Sequence, residues 1–236
     1  MSPIAYMLFI LATATTILAQ NHKMTPVTVY YESLCPDSIK FITMQLFPAW
    51  ETELKSYMNL TLVPFGKANY TQTGDNYTLN CHHGVKECVG NKVQACALKK
   101  IMDMDMKVKF INCVMTETRD SKPEEYPTKK CANDLKLAAD LITQIESCAT
   151  SAEGDGFFVE MGEMTNKYQN PLTSVPTVSI NNDHNTDNKA ATSNFQKTLC
   201  SHITDPKPAI CTKNGGSSIT PAILLVPLSY LFTLKF

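Results

Sequence analysis

The residues of this chain best suited to chemistry are its nine cysteines: Cys35, Cys81, Cys88, Cys96, Cys113, Cys131, Cys148, Cys200 and Cys211. Eight can pair into four bridges, which leaves one thiol over, and sequence alone leaves the pairing open. Cys35 is the natural one to stay free. It opens the tetrapeptide Cys35-Pro36-Asp37-Ser38, after a strand-like run and before a helix-like one. A cysteine in that place faces unpaired backbone amides and the positive end of the helix dipole. Both favour the thiolate, which is the attacking species in disulfide exchange. Ser38 can donate a hydrogen bond to that thiolate but cannot form an internal disulfide with it. The chemistry to expect is monothiol: capture of a substrate sulfur, with release left to an external thiol or another substrate cysteine. The plainer readings are a structural disulfide for Cys35 and an ordinary first-turn helix residue for Ser38.

Three elements must position Cys35. Pro26 to Tyr31 alternates apolar and polar residues, many of them β-branched or aromatic, and reads as a strand. Proline at the first helical position, here Pro36, favours a helix. From Ile39 to Tyr57 the residues Phe41, Ile42, Leu46, Phe47, Trp50, Leu54 and Tyr57 recur at helical spacing, and Pro48 should kink or split the run. Leu60 to Phe65 reads as a second strand with a turn at Gly66. Strand, helix, strand with one long connection is a βαβ unit, so the two strands should be parallel.

Farther along, Asn69 to Asn80 reads as a polar loop and His83 to Asp105 as a helix that Phe110 to Met115 continues. Glu117 to Pro127 is expected to be a charged loop. Cys131 to Cys148 is expected to be one helix that buries Leu135, Leu137, Ala138, Leu141, Ile142 and Ile145. Residues 80–150 thus form a helical, cysteine-rich insertion. Gly154 to Asn170 reads as a further helix, Pro171 to Ile180 as a strand reached through proline, and Asn181 to Asn185 as a turn. Thr192 to Cys200 reads as the terminal helix, with Cys200 placed to close a small loop to Cys211.

The compartment follows from the ends and the sulfurs. Residues 1–19 read as a signal peptide, cleaved near Ala19. Three glycosylation sequons, at Asn59, Asn69 and Asn76, mark one exposed edge. With many cysteines these place the chain in the oxidising secretory pathway. Residues 213–236 form a hydrophobic tail after Asn214-Gly215-Gly216-Ser217-Ser218, the plan of a GPI-attachment signal. A membrane-anchoring helix or an unremarkable tail are the competing readings, and Pro221 and Pro227 weigh against the helix. The remaining stretch, 25–212, is expected to be one domain. A formal net charge of −1 gives no electrostatic case for nucleic acid.

No metal is expected. Cys81, His82, His83 and Cys88 lack a paired Cys-x-x-Cys spacing, side chains of adjacent histidines diverge, and the lumen is oxidising. His83 and Glu87 are four apart on one helix face, which suggests a local stabilising contact. Met102, Met104 and Met106 read as a helix end with part-buried side chains.

The segment from Cys81 to Cys96 resembles the signature of the gamma-interferon-inducible lysosomal thiol reductase family, C-Q-H-G-x2-E-C-x2-N-x4-C. Cys81, His83, Gly84, Glu87, Cys88, Asn91 and Cys96 match, and His82 stands where the family has glutamine. Val63 to Ala68 resembles the family's second strand, and Val175-Pro176-Thr177-Val178 its cis-proline segment. Tyr30 to Ser38 resembles the form found in arthropod members, which carry serine where others carry the second cysteine. The resemblance spans roughly Val27 to Cys211. It implies an α/β, thioredoxin-like fold with a helical, disulfide-rich insertion. It also implies thiol–disulfide oxidoreductase or isomerase activity on protein disulfides in endosomes, lysosomes or the secreted space, with a role in immune defence. Cys35 would then be the nucleophile, Ser38 its hydrogen-bond partner, and cis-Pro176 the shaper of a substrate groove. The other eight cysteines would be bridged. No cofactor is implied beyond an external reducing thiol such as glutathione or cysteine. The alternative is a catalytically weak or inactive secreted or surface binding protein that retains the fold.

Overall fold

The computed structural model describes residues 23–204 and 206–212. The expected signal peptide and the hydrophobic tail lie outside them. Strand β1 (Thr25–Tyr31) buries Val27, Val29 and Tyr31 completely. Its neighbour β2 (Met58–Pro64) runs parallel in the register Val27↔Leu60 to Tyr31↔Pro64. On the other side lies β5 (Thr177–Ile180), antiparallel, with Val29 opposite Val178. The order β2-β1-β5 leaves β1 central, so no residue of β1 is exposed, while edge strand β2 still shows Asn59 to solvent.

Between β1 and β2 the chain is helical from Pro36 to Trp50, in three pieces. Helix α1 (Pro36–Phe41) passes into a π-helical turn (Ile42–Leu46) and then α2 (Phe47–Trp50). Pro48 carries no N–H, and around it the ladder slips to the wider π spacing: the Phe47 N–H reaches Ile42 O. The proline therefore loosens the helix without breaking it. A short 3-10 turn (Glu53–Tyr57) delivers the chain to β2.

The stretch 69–80 is not a loop. It is a hairpin of β3 (Asn69–Thr73) and β4 (Asn76–Asn80), closed by Gly74 and Asp75, with Gly74 at φ +60°. Its polar composition hid threonine- and tyrosine-rich strands with a Gly-Asp turn. Tyr70 and Leu79 pack onto a small second core with Phe65, Phe158 and Met161. Asn59, Asn69 and Asn76 are all exposed.

The region after the hairpin is helical: α3 (Val85–Lys100), α4 (Met104–Ser121), α5 (Thr128–Asp134) and α6 (Ala139–Ala149). Three boundaries differ from the sequence reading. The first helix stops at Lys100, Ile101 is extended, and Asp103 caps a new helix by accepting the Met106 N–H at 2.8 Å. Met104 and Met106 thus open a helix and pack on the core, while Met102 is exposed. Helix α4 then runs to Ser121, beyond the expected start of the charged loop. Finally, the expected single helix from Cys131 is two. Lys136 takes φ +56°, the Leu137 N–H bonds Ala132 O and the Lys136 N–H bonds Asn133 O, each at 2.9 Å. That is a Schellman ending with lysine where glycine usually sits. Ile142 and Ile145 are buried, but Ala138, past the break, is exposed.

Helix α7 (Ala152–Tyr168) packs on α3 and β2 and leads through Asn170-Pro171 and Val175-Pro176, both cis, into β5. Helices α8 (Asn188–Ser193), α9 (Phe195–His202) and α10 (Ala209–Thr212) complete the described chain. Phe195 sets its ring edge-on against Phe41 of α1, with centroids 5.5 Å apart. No helix among the described residues is long and apolar enough to cross a membrane.

Candidate active site

Cys35 is the N-cap residue of α1, and its carbonyl accepts the Ile39 N–H at 2.9 Å. Its side chain is free, whereas the other eight cysteines are bridged as Cys81–Cys88, Cys96–Cys148, Cys113–Cys131 and Cys200–Cys211. The residue is 8% exposed. Its sulfur points at the cis-proline loop, 4.0 Å from the Val175 carbonyl oxygen. The sequence places Cys35 and Val175 140 residues apart; β1 and β5 bring them together as neighbours.

The loop is itself held. Asn188 donates from Nδ2 to the Pro176 carbonyl at 3.0 Å and accepts the Val178 N–H at 2.9 Å, and Thr177 Oγ1 donates to Ser174 O at 2.8 Å. Nothing in the spacing of Asn188 signals this clamp.

Ser38 is fully buried, but its described hydrogen bond is not to Cys35. Its hydroxyl oxygen accepts the Glu32 N–H at 3.3 Å. Side chains in a first helical turn lean back toward the helix N-terminus, and the backbone amide leaving β1 is the group waiting there. Ser38 therefore ties the turn before Cys35 to the helix after it.

The signature segment supports that same turn. Asn91 Oδ1 accepts the Ser33 N–H at 2.9 Å, and Ser33 Oγ donates to the Glu87 carbonyl at 3.1 Å. Tyr31 donates to Gln94 at 2.5 Å, which in turn donates to Tyr126 at 2.5 Å. Burial pushes both phenols well up from their ordinary range, so they stay neutral. Gly90 lets the helix come this close: a Cβ there would sit 2.4 Å from Ser33 Oγ. Glu32, Ser33, Gly90, Gln94 and Tyr126 were not singled out from sequence. The available signal was Glu32, a charge ending an apolar strand.

Glu32 and Glu87 are both wholly buried. His83 Nδ1 lies 2.6 Å from Glu87 Oε2, the local contact expected, and also 3.3 Å from Glu32 Oε2. Burial raises the Glu87 carboxyl above its usual range, His83 hydrogen bonds oppose that, and the Glu32 charge adds to it.

Two grooves flank Cys35. One, of about 470 Å³, has Leu34, Pro36, Ile39 and Tyr126 among its walls, with Lys86 and Arg119. The other, of about 400 Å³, runs along Asp37, Val175 and Pro176. A buried free thiol between an apolar groove and an open backbone edge suits an extended polypeptide bearing a disulfide.

Comparison with known proteins agrees with this geometry. The family described as gamma interferon inducible lysosomal thiol reductase (GILT) matches residues 26–135. GILT-like protein 1 of Drosophila melanogaster is 39% identical over 230 residues, covering 92% of this chain and 91% of that protein. The gamma-interferon-inducible lysosomal thiol reductase-like protein of Anopheles gambiae is 38% identical over 229 residues, covering 92% and 93%. Among solved structures, MdbA, a thiol-disulfide oxidoreductase from Actinomyces oris, superposes with a TM-score of 0.54 at 13% identity, over 79% of this chain and 83% of that one. At that identity it speaks for the thioredoxin-like fold alone. With a lone thiol against a cis-proline and relatives matched over nearly their full length, this chain belongs to the gamma interferon inducible lysosomal thiol reductase family of thiol–disulfide oxidoreductases.

Proposed function

We propose that the protein exchanges protein disulfides by a monothiol route. The observation that carries this is the lone free sulfur of Cys35 against the Val175-Pro176 loop, with every other cysteine bridged. The Cys35 thiolate attacks one sulfur of a substrate disulfide. That S–S bond breaks, a mixed disulfide forms, and the departing substrate sulfur leaves as a thiolate that takes a proton. An external thiolate then attacks the Cys35 sulfur, releasing the second substrate sulfur, and a second external thiol frees Cys35 as the reductant leaves oxidised. If a different substrate cysteine attacks the mixed disulfide first, a new substrate disulfide forms, the Cys35 thiolate leaves, and the result is isomerisation. Glutathione or cysteine suits the external role. The expected leader segment, the bridges and the exposed sequons support work in the lysosome, the endosome or outside the cell; a role in immune defence rests on the family resemblance alone. Membrane attachment through the tail rests on the sequence of 213–236.

The low exposure of Cys35 favours a second reading, a binding protein that has kept the fold and lost turnover. Reduction of insulin with added glutathione, followed from acid to neutral pH, separates the two. Activity that disappears in Cys35→Ser supports exchange. No exchange at any pH, with Cys35 inert to alkylation in the folded protein, supports the binding reading and overturns the proposal.

A further inference from the structure

We infer that Glu32, His82 and His83 form a binding site for one zinc-like divalent cation, beside the turn that carries Cys35, with Glu87 adjoining. His82 Nδ1 and His83 Nδ1 lie 3.2 and 3.3 Å from the same Glu32 Oε2, and Glu87 Oε2 lies 2.6 Å from His83 Nδ1. Bonds of about 2.0–2.1 Å in a tetrahedral zinc site put neighbouring ligand atoms about 3.3 Å apart. The two edges from Glu32 Oε2 already have that length, while Glu87 Oε2 stands close to His83 but outside the cluster of three. The Glu32, His82 and His83 donor atoms all fall within 4.8 Å of one another. The divergence expected of adjacent histidines does not occur: their ring centroids are 4.4 Å apart. Glu32, distant in sequence, is the ligand a spacing pattern could not supply.

The surroundings are built as metal sites are built. Cys81–Cys88 closes the loop that contributes His82, His83 and Glu87, and removes both sulfurs from the donor set. Gly84 turns the loop at φ +81°. Each carboxylate is oriented by its other oxygen: Glu32 Oε1 accepts the Lys67 N–H at 2.8 Å, and Glu87 Oε1 the His83 N–H at 3.0 Å. The carboxylates are fully buried while the imidazoles are 48% and 32% exposed, so a cation has a path in. Without metal, each Nδ1 lies at hydrogen-bond distance from a carboxylate oxygen. With metal, each neutral imidazole carries its proton on Nε2. Lys67 Nζ, 3.5 Å from His82 Nε2, must then swing outward. Two imidazoles and a carboxylate suit zinc, and imidazole disfavours calcium and magnesium.

The test titrates purified full-length protein with Zn²⁺ against a chromogenic chelator, and with Co²⁺ read by visible absorption. One equivalent of Zn²⁺ and the intense bands of tetrahedral Co²⁺ are expected. His82→Gln, which installs the residue of the family pattern at an exposed position, should weaken binding by more than the roughly 10–100-fold lost with an outer-shell partner. Lys67→Ala should tighten it, and Cys35→Ser should leave it unchanged. Equal affinity in the parent and His82→Gln, weak octahedral Co²⁺ absorption, or loss of binding in Cys35→Ser would each overturn the assignment.

Discussion

The sheet half of the molecule and its helical half treat sulfur in opposite ways. From β1 through α2 and β2, and again in β5, the core is apolar side chains, and the sole cysteine is Cys35. In the helical region every cysteine is paired, and the bridges join α3 to α6 and α4 to α5. The domain thus keeps its one free sulfur away from its bridged ones. The helical half is locked covalently, and it supports the half that carries Cys35 without a covalent link, through contacts such as Asn91 to Ser33, Gln94 to Tyr31 and Gly90 beneath Ser33.

If that division holds, damage to the locked half should cost stability first and chemistry second. The largest effect is expected from replacing Cys96 and Cys148 together by alanine. Their separation of 52 residues gives roughly 4 kcal/mol of lost stability in the chain-entropy account, seen as a large drop in urea midpoint. Opening Cys81–Cys88, a separation of 7, should cost roughly 2 kcal/mol on the same account. In both variants Cys35 should alkylate at its parental rate below the transition. A parental midpoint in the first variant would show that the bridges do not carry the helical half.

Gly90→Ala attacks the contact between the halves. Its methyl would meet Ser33 Oγ at 2.4 Å and Tyr126 Cε2 at 2.7 Å, so a destabilisation of about 1–3 kcal/mol is expected. Because Ser33 moves with the turn, the alkylation rate of Cys35 should change as well. A stability loss with an unchanged rate would mean that the turn is not held from below.

The smallest effect is at a second junction. Asp105 in α4 accepts from Lys109 at 2.6 Å, from Trp50 Nε1 at 3.0 Å and from Lys55 at 3.3 Å, tying the end of α2 to the helical half. The Lys109 bond above all, then those from Trp50 and Lys55, outweigh partial burial and hold its carboxyl down at about 2. A folded-state value below the unfolded one stabilises above the ordinary carboxylate range, and the gain is lost as pH falls toward about 2. Asp105→Asn should therefore flatten the acid limb of the stability profile and lower the plateau slightly. An unchanged acid limb would remove Asp105 from the junction.

What could be read from sequence followed physical range. The parallel β1–β2 pair, the helix opening at Pro36 and the Cys200–Cys211 loop come from local signals: alternation, a first-turn proline, a short cysteine spacing. The hairpin at 69–80 was missed because its composition is polar and its apolar contacts are long-range, Tyr70 and Leu79 onto Phe158. The break at Lys136 was missed because backbone bonds, and no glycine, make it. Within the site, Cys35 and Pro176 were legible from motif and resemblance. The side chains that hold them were not: Ser38 turns to the Glu32 amide, and Asn188 reaches the Pro176 carbonyl. Such pairings depend on where a fold delivers a side chain, which no spacing encodes.

The central claim is that one sulfur, Cys35, does the exchange alone. The most direct measurement is mass-mapped alkylation of the native protein, followed by trapping with a disulfide-bearing peptide and stepwise addition of glutathione, in the parent and in Ser38→Cys. The account predicts one alkylated cysteine, Cys35, and a mixed disulfide on the parent that persists until glutathione is added. In Ser38→Cys the mixed disulfide should resolve without it. A parent adduct that resolves unaided, or a labelled thiol other than Cys35, would contradict the account.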